Sequence, residues 1–96
     1  TGGPMAADGT LRFADNAALA RYEARLEDGT LVGYCDYAID GDRMVLPYTE
    51  TLPAYRGRGY ADRLVAHVIA DARRRNLTPL PRCWFVRDYM RAHPDA

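Results

Sequence analysis

Between Ala20 and Leu26 apolar and polar residues alternate, with Tyr22, Ala24 and Leu26 on one side and Arg21, Glu23 and Arg25 on the other. A period of two marks a half-buried β-strand. Asp28-Gly29 follows and predicts a tight hairpin, because such a turn needs a positive φ that glycine adopts readily. Leu31 to Ile39 reads as a second strand, with Leu31, Gly33, Cys35, Tyr37 and Ile39 sharing a face. Asp40-Gly41 marks another turn, and Met44 to Thr51 a third strand. Pro47 interrupts that run without an N–H to give to a ladder, so it predicts an edge position or a bulge. Leu11 to Phe13 adds a short strand or a lead-in. The N-terminal half is thus an antiparallel meander of about three strands.

Past Pro53 the period changes. Ala61, Leu64, Val65, Val68, Ile69 and Ala72 form the apolar stripe of an amphipathic helix, opposite Asp62, Arg63, His67, Arg73 and Arg74. Arg73-Arg74-Arg75 suits the negative end of the helix dipole, and Asn76 suits a left-handed stop. The arginine run reads as a solvated helix end ahead of a nucleic-acid patch. Leu77 to Leu80 is a short strand whose pairing Pro79 limits. A second helix runs from about Trp84 to His93, burying Val86, Tyr89 and Met90, and Pro94 stops it. The predicted fold class is α/β in an α+β arrangement: meander, helix, short strand, C-terminal helix. Thr1-Gly2-Gly3-Pro4 ahead of Met5 looks like an expression scar, so residues 1–10 are expected to be a disordered leader and residues 11–96 a single domain.

Composition narrows the function classes. A chain of 96 residues has room for one modest core. Its 48% hydrophobic and 27% charged residues fit a globular protein. Thirteen basic residues balance thirteen acidic ones, which disfavours a general nucleic-acid binder. No apolar run approaches the ~20 residues that cross a bilayer, and no signal peptide is visible, so the expected location is cytoplasmic with no membrane partner. Cys35 and Cys83 are too few for a disulfide scaffold, and neither they nor His67 and His93 have metal-ligand spacing; no metal is expected.

The candidate chemistry lies in Arg56-Gly57-Arg58-Gly59-Tyr60-Ala61, between the third strand and the long helix. Glycines let the backbone approach a ligand closely. The helix beginning near Tyr60 turns its unpaired N–H groups and positive dipole end toward this bend, which suits a phosphate or pyrophosphate. Arg56 and Arg58 can add charge-assisted bonds. The bland alternative is a glycine-rich turn with two solvated arginines. A Walker loop is ruled out by the missing Gly-Lys-Ser/Thr, and the hairpins upstream are the wrong setting for a dinucleotide fingerprint.

Arg56-x-x-Gly59-x-Ala61, after an antiparallel strand and opening an amphipathic helix, resembles the CoA pyrophosphate motif of the GNAT superfamily of acetyl-CoA-dependent N-acetyltransferases. A small single-domain subgroup with a C-terminal Pro-x-Cys motif is similar over nearly all of the chain from Leu11 to Asp95. The shared features are Arg21-Tyr22-Glu23, the Asp28-Gly29 hairpin, Tyr34 to Tyr37, Thr49 to Pro53, Pro81-x-Cys83 and His93-Pro94. The resemblance implies a minimal GNAT-like fold that binds acetyl-CoA or coenzyme A through Thr51, Leu52, Arg56, Gly57, Arg58, Gly59, Tyr60 and Ala61. The third strand should splay from the strand after the helix, with pantetheine entering the gap and bonding main chain near Thr51 and Leu52. The chain lacks the residues that usually cover the acceptor side. That implies an open site for an amine on an exposed acceptor, a protein lysine or a polyamine.

Three residues are the catalytic candidates. Cys83 precedes the predicted C-terminal helix, whose dipole favours a thiolate, and Arg82 adds to that effect. The resemblance puts a cysteine near the acetyl group, as a nucleophile or a polarising group; a small buried core thiol is the alternative. Glu50 shares a strand face with Tyr48 and is a candidate base for the amine, or else a surface residue. Thr49 stands where the subgroup commonly has a histidine, which removes the most natural general base. Cys35 reads as core, His67 as solvated, His93 as a helix cap. The rival from another class is a catalytically idle CoA-binding or protein-interaction module. An RNA-contacting use of the Arg-Gly-Arg-Gly segment ranks behind both.

Overall fold

The computed structural model describes residues 10–96; the expected leader up to residue 9 lies outside the described residues. The fold is α+β. Five strands form one mixed sheet in the order β1-β2-β3-β4-β5: β1 Leu11–Asn16, β2 Arg21–Leu26, β3 Leu31–Asp40, β4 Arg43–Thr51 and β5 Thr78–Pro81. The first four are antiparallel neighbours in chain order, and β5 returns parallel to β4 after helix α1, Tyr60–Arg74. Helix α2, Trp84–Ala92, closes the chain. The expected lead-in is therefore a full strand. It pairs with β2 along its whole length, from Leu11 opposite Leu26 to Asn16 opposite Arg21.

The α1 stripe forms the core as its spacing predicts. Leu64, Val65, Val68, Ile69 and Ala72 are buried against Tyr22, Ala24, Cys35, Met44 and Leu46 of the sheet. Each large apolar side chain removed from water contributes about 1.5–3 kcal/mol, so Leu64→Ala would cost about 2–5 kcal/mol. The helix stops at Asn76, whose φ of 61° is left-handed, with Leu77 N–H donating to Ala72 O at 2.8 Å.

Four local expectations change for reasons of tertiary packing. Ile39 is 46% exposed, because β2 pairs with β3 only as far as Asp36 and leaves the hairpin tip a neighbour on one side. Glu23, on the polar face of β2, is 4% exposed. Asn16, Arg21 and Arg25 all donate to its carboxylate, at 2.9–3.0 Å. Burial pushes its pKa up, but those three donors outweigh it and leave it lowered. His67 is half-buried: its ring stacks on Phe13 with centroids 4.7 Å apart, and burial and Arg74 lower its pKa. The arginine run is tied to the protein rather than freely solvated. Arg74 pairs with Asp71, Arg73 Nε donates to Ala96 O at 2.8 Å, and Arg75 Nη1 donates to Tyr22 OH at 3.1 Å. Tyr22 OH donates in turn to Asp71.

What matters for function is a fork. β4 and β5 pair only from Arg43 opposite Thr78 to Leu46 opposite Pro81. There Arg82 N–H and Cys83 N–H both donate to Leu46 O at 3.0 Å, and the chain turns into α2. Pro47, Pro79 and Pro81 have no N–H to extend the ladder. Pro47 lies in a bulge of β4, where Leu46 and Pro47 stand against Tyr37 alone between the Asp36–Tyr48 and Ala38–Val45 pairs, so the expected bulge occurs and one side of the strand becomes an edge there. From Tyr48 to Thr51, β4 keeps β3 as its partner and has none on the β5 side.

Candidate active site

The fork opens a cleft of about 600 Å³. Pro47 to Thr51 of β4 form one wall, and Arg82 to Phe85 at the start of α2 form the other. Arg56 and Ala61 line it where it meets a second recess of about 200 Å³, built on Gly57, Gly59, Tyr60 and Asp62. The candidates Cys83, Glu50, Thr49, Thr51, Arg56 and Ala61 thus meet in the cleft, while Gly57, Gly59 and Tyr60 meet in the recess. Leu52 and Arg58 line neither. Leu52 N–H donates to Val32 O at 2.9 Å, and the Arg58 guanidinium sits 5.6 Å from the Tyr55 ring centroid.

The recess is made by backbone conformation. Gly57 and Gly59 have φ of 80° and 76°, and Gly59 is the N-cap of α1 with no side-chain bond to the helix. Among the described residues, the amides of Gly57, Arg58, Gly59, Tyr60, Ala61 and Asp62 have no hydrogen-bond partner. Clustered amides of this kind at a helix N-terminus make an anion cradle. Among the described residues, no atom beyond each glycine and its chain neighbours lies within 4 Å of where a Cβ on it would sit. These residues fit a diphosphate.

Within the cleft the polar groups are engaged with one another. Tyr48 OH donates to Glu50 Oε1 at 2.6 Å, and Arg56 Nη2 donates to Glu50 Oε2 at 2.9 Å. Arg56 Nε also donates to Thr51 O at 2.9 Å. The Tyr48 bond, then Arg56, lowers the Glu50 pKa, which weakens it as a proton acceptor. Thr49 donates to Cys35 Sγ at 3.6 Å. Burial pushes the Cys35 thiol up to about 11, so it stays neutral. Cys83 is 9% exposed and caps α2 with an extended backbone. The sheet register puts Tyr48 and Glu50 on one face and Thr49 and Thr51 on the other. Both pairs reach the cleft, because it lies along the strand's open edge.

A family model, Acetyltransf_CG, described as GCN5-related N-acetyl-transferase, matches residues 21–96. The chain belongs to that family. No curated protein matches the chain. Membership of the GCN5-related N-acetyltransferase family makes acetyl transfer the chemistry against which this cleft is to be judged, and the α+β fold with its forked β4 and β5 accords with it.

Sequence reasoning named neither Phe85, which lines both the cleft and the recess, nor Trp84, which lines the cleft and is 66% exposed, as a site residue. A signal was present. In α2 only Val86 is fully buried, with Phe85, Tyr89 and Met90 partly buried against the core, so an apolar Trp84 at the helix start had no place there. Neither histidine lines the cleft: His67 stacks under β1, and His93 Nδ1 lies 2.9 Å from Tyr89 O at the end of α2. Among the described residues no group of three or more His, Cys, Asp or Glu could hold a metal, and no helix is long and apolar enough to cross a membrane.

Proposed function

We propose that this chain binds acetyl-CoA across the glycine bend and the fork, and transfers the acetyl group to an amine of an exposed acceptor, a protein lysine or a polyamine. The observation that carries the reading is continuity. The cradle of unpartnered amides from Gly57 to Asp62 opens directly into the cleft lined by Cys83. Arg56 and the amides of Gly57 to Ala61 would hold the diphosphate, with Arg58 adding charge from outside the recess. Thr51, which lines both the cleft and the recess, would border the path of the pantetheine arm, while Leu52 lies outside both and its N–H is held by Val32 O.

Bound acetyl-CoA supplies an acyl thioester. Transfer to an amine forms one N–C bond, breaks one C–S bond and moves one proton from nitrogen to sulfur. Cys83, at the fork, is the residue assigned to the sulfur end, either taking the acetyl group itself or returning the proton. Glu50, held by Tyr48 and Arg56, attracts the cationic amine and is a weak base at most. Thr49 is assigned to steadying the cleft wall through its bond to Cys35.

The same bonds favour a second reading, a CoA-binding module without turnover. Glu50 is occupied, Thr49 stands where the subgroup that the chain resembles commonly has a histidine, and no histidine is among the described cleft residues. Calorimetry with CoA, followed by CoA release from acetyl-CoA with spermidine or a lysine peptide, separates the two. Binding with amine-dependent release supports transfer, and binding without release with either amine supports the idle module. Absence of binding refutes both.

A further inference from the structure

Four residues line both the cleft and the glycine recess, namely Thr51, Arg56, Ala61 and Phe85, and of these Arg56 alone is charged. Its guanidinium is bound on the cleft side, to Glu50 Oε2 and Thr51 O. Glu50 is the one carboxylate among the described residues lining the cleft, so the cation at the boundary neutralises the group best able to attract an amine. The pair is exposed, with 59% of the Arg56 side chain and 23% of the Glu50 side chain open to solvent. Exposed pairs of this kind are weak. A diphosphate beside Arg56 offers more charge and accepts the two-pronged guanidinium fork.

We propose that Arg56 is a latch between the two recesses: an anion held by the glycine bend draws the guanidinium away from Glu50, and the freed Glu50–Tyr48 pair then takes the ammonium group of a flexible cationic amine. The inference rests on the cofactor reading above and adds a coupling to it, between the anion in the glycine bend and the amine on Glu50. Tyr48 stays on Glu50 Oε1 and leaves Oε2 for the amine. Tyr48 is 46% exposed, so its ring offers aromatic surface beside the carboxylate it holds, while the ring of Tyr34, 6.2 Å from it, already carries the Arg21 guanidinium at 4.5 Å. Because binding linkage is reciprocal, an amine on Glu50 must also tighten the anion by the same factor.

The test is a titration of spermidine, and separately of a short lysine peptide, into the protein alone and into protein saturated with CoA. At least one amine is expected to bind about fivefold or more tightly when CoA is present. Glu50→Gln is expected to abolish that gain and to tighten CoA itself, since the latch no longer holds Arg56. A Glu50 with a merely structural role would not tighten CoA. Arg56→Gln should weaken CoA and leave amine affinity the same with and without it. Equal amine affinities in the wild type, or weaker CoA binding by Glu50→Gln, would overturn the latch while leaving CoA binding intact. Failure of the wild type to bind CoA at all overturns both the latch and the reading beneath it.

Discussion

Gly59 separates the conformational demand of the bend from its role toward a ligand. Its φ of 76° lies in the left-handed region, and among the described residues no atom beyond its chain neighbours stands within 4 Å of the Cβ that Gly59→Ala would add. Folding is therefore affected through the backbone alone, by about 1–2 kcal/mol. For a domain of this size each kcal/mol lowers Tm by roughly 4–8 °C. Any steric effect of the new methyl falls on what enters the recess. If it weakens CoA tenfold, a concentration of 100 times the wild-type Kd becomes 10 times the variant's, and the stabilisation by ligand falls from about 2.7 to about 1.4 kcal/mol. Gly41→Ala is the control. Gly41 has φ of 61° in the β3–β4 hairpin and equally open surroundings. Thermal unfolding with and without CoA should show both variants destabilised alike, with only Gly59→Ala losing ligand stabilisation. Equal CoA shifts in the two variants would refute the cradle.

Cys83→Ala should leave CoA affinity unchanged and lower kcat at least about tenfold, the usual size of a lost proton-transfer or nucleophilic contribution being larger still; unchanged turnover excludes a chemical role. With Glu50 already ionised and no histidine among the described cleft residues, log kcat/KM should climb with pH toward the amine's own pKa, about 10 for lysine. A plateau from pH 7 would reveal a base other than Glu50 acting on the amine. His67 has a folded pKa lowered from 6.5, so the unfolded chain binds more protons just below that value, and stability should fall as pH drops through 6.5. His67→Phe keeps the ring beside Phe13 and should flatten that limb in urea titrations; an unaltered slope assigns it to other groups. Glu23→Ala leaves Arg21 and Arg25 without their shared carboxylate and should lower stability by about 1–3 kcal/mol without changing CoA affinity. A loss of CoA binding there would mean that the outer face of the sheet reaches the site.

The order of elements, the hairpin turns, the α1 stripe, its stop at Asn76 and the glycine bend were all legible in local patterns. Each depends on neighbours within a few residues: side chains repeat with period two or 3.6, and a left-handed φ selects glycine or asparagine. Pairings between distant segments carry no such signature. That β5 lies beside β4, that the ladder ends at Leu46, and that Cys83 therefore faces Thr49 and Glu50 follow only once the chain has folded back. The same holds for polar residues that periodicity sends to solvent. Glu23 is buried because three donors from β1 and β2 converge on it, and His67 because β1 supplies Phe13. Sequence alone thus determined which backbone could cradle an anion, while tertiary structure decided which side chains share its cleft, since contact across a sheet depends on register and not on spacing along the chain.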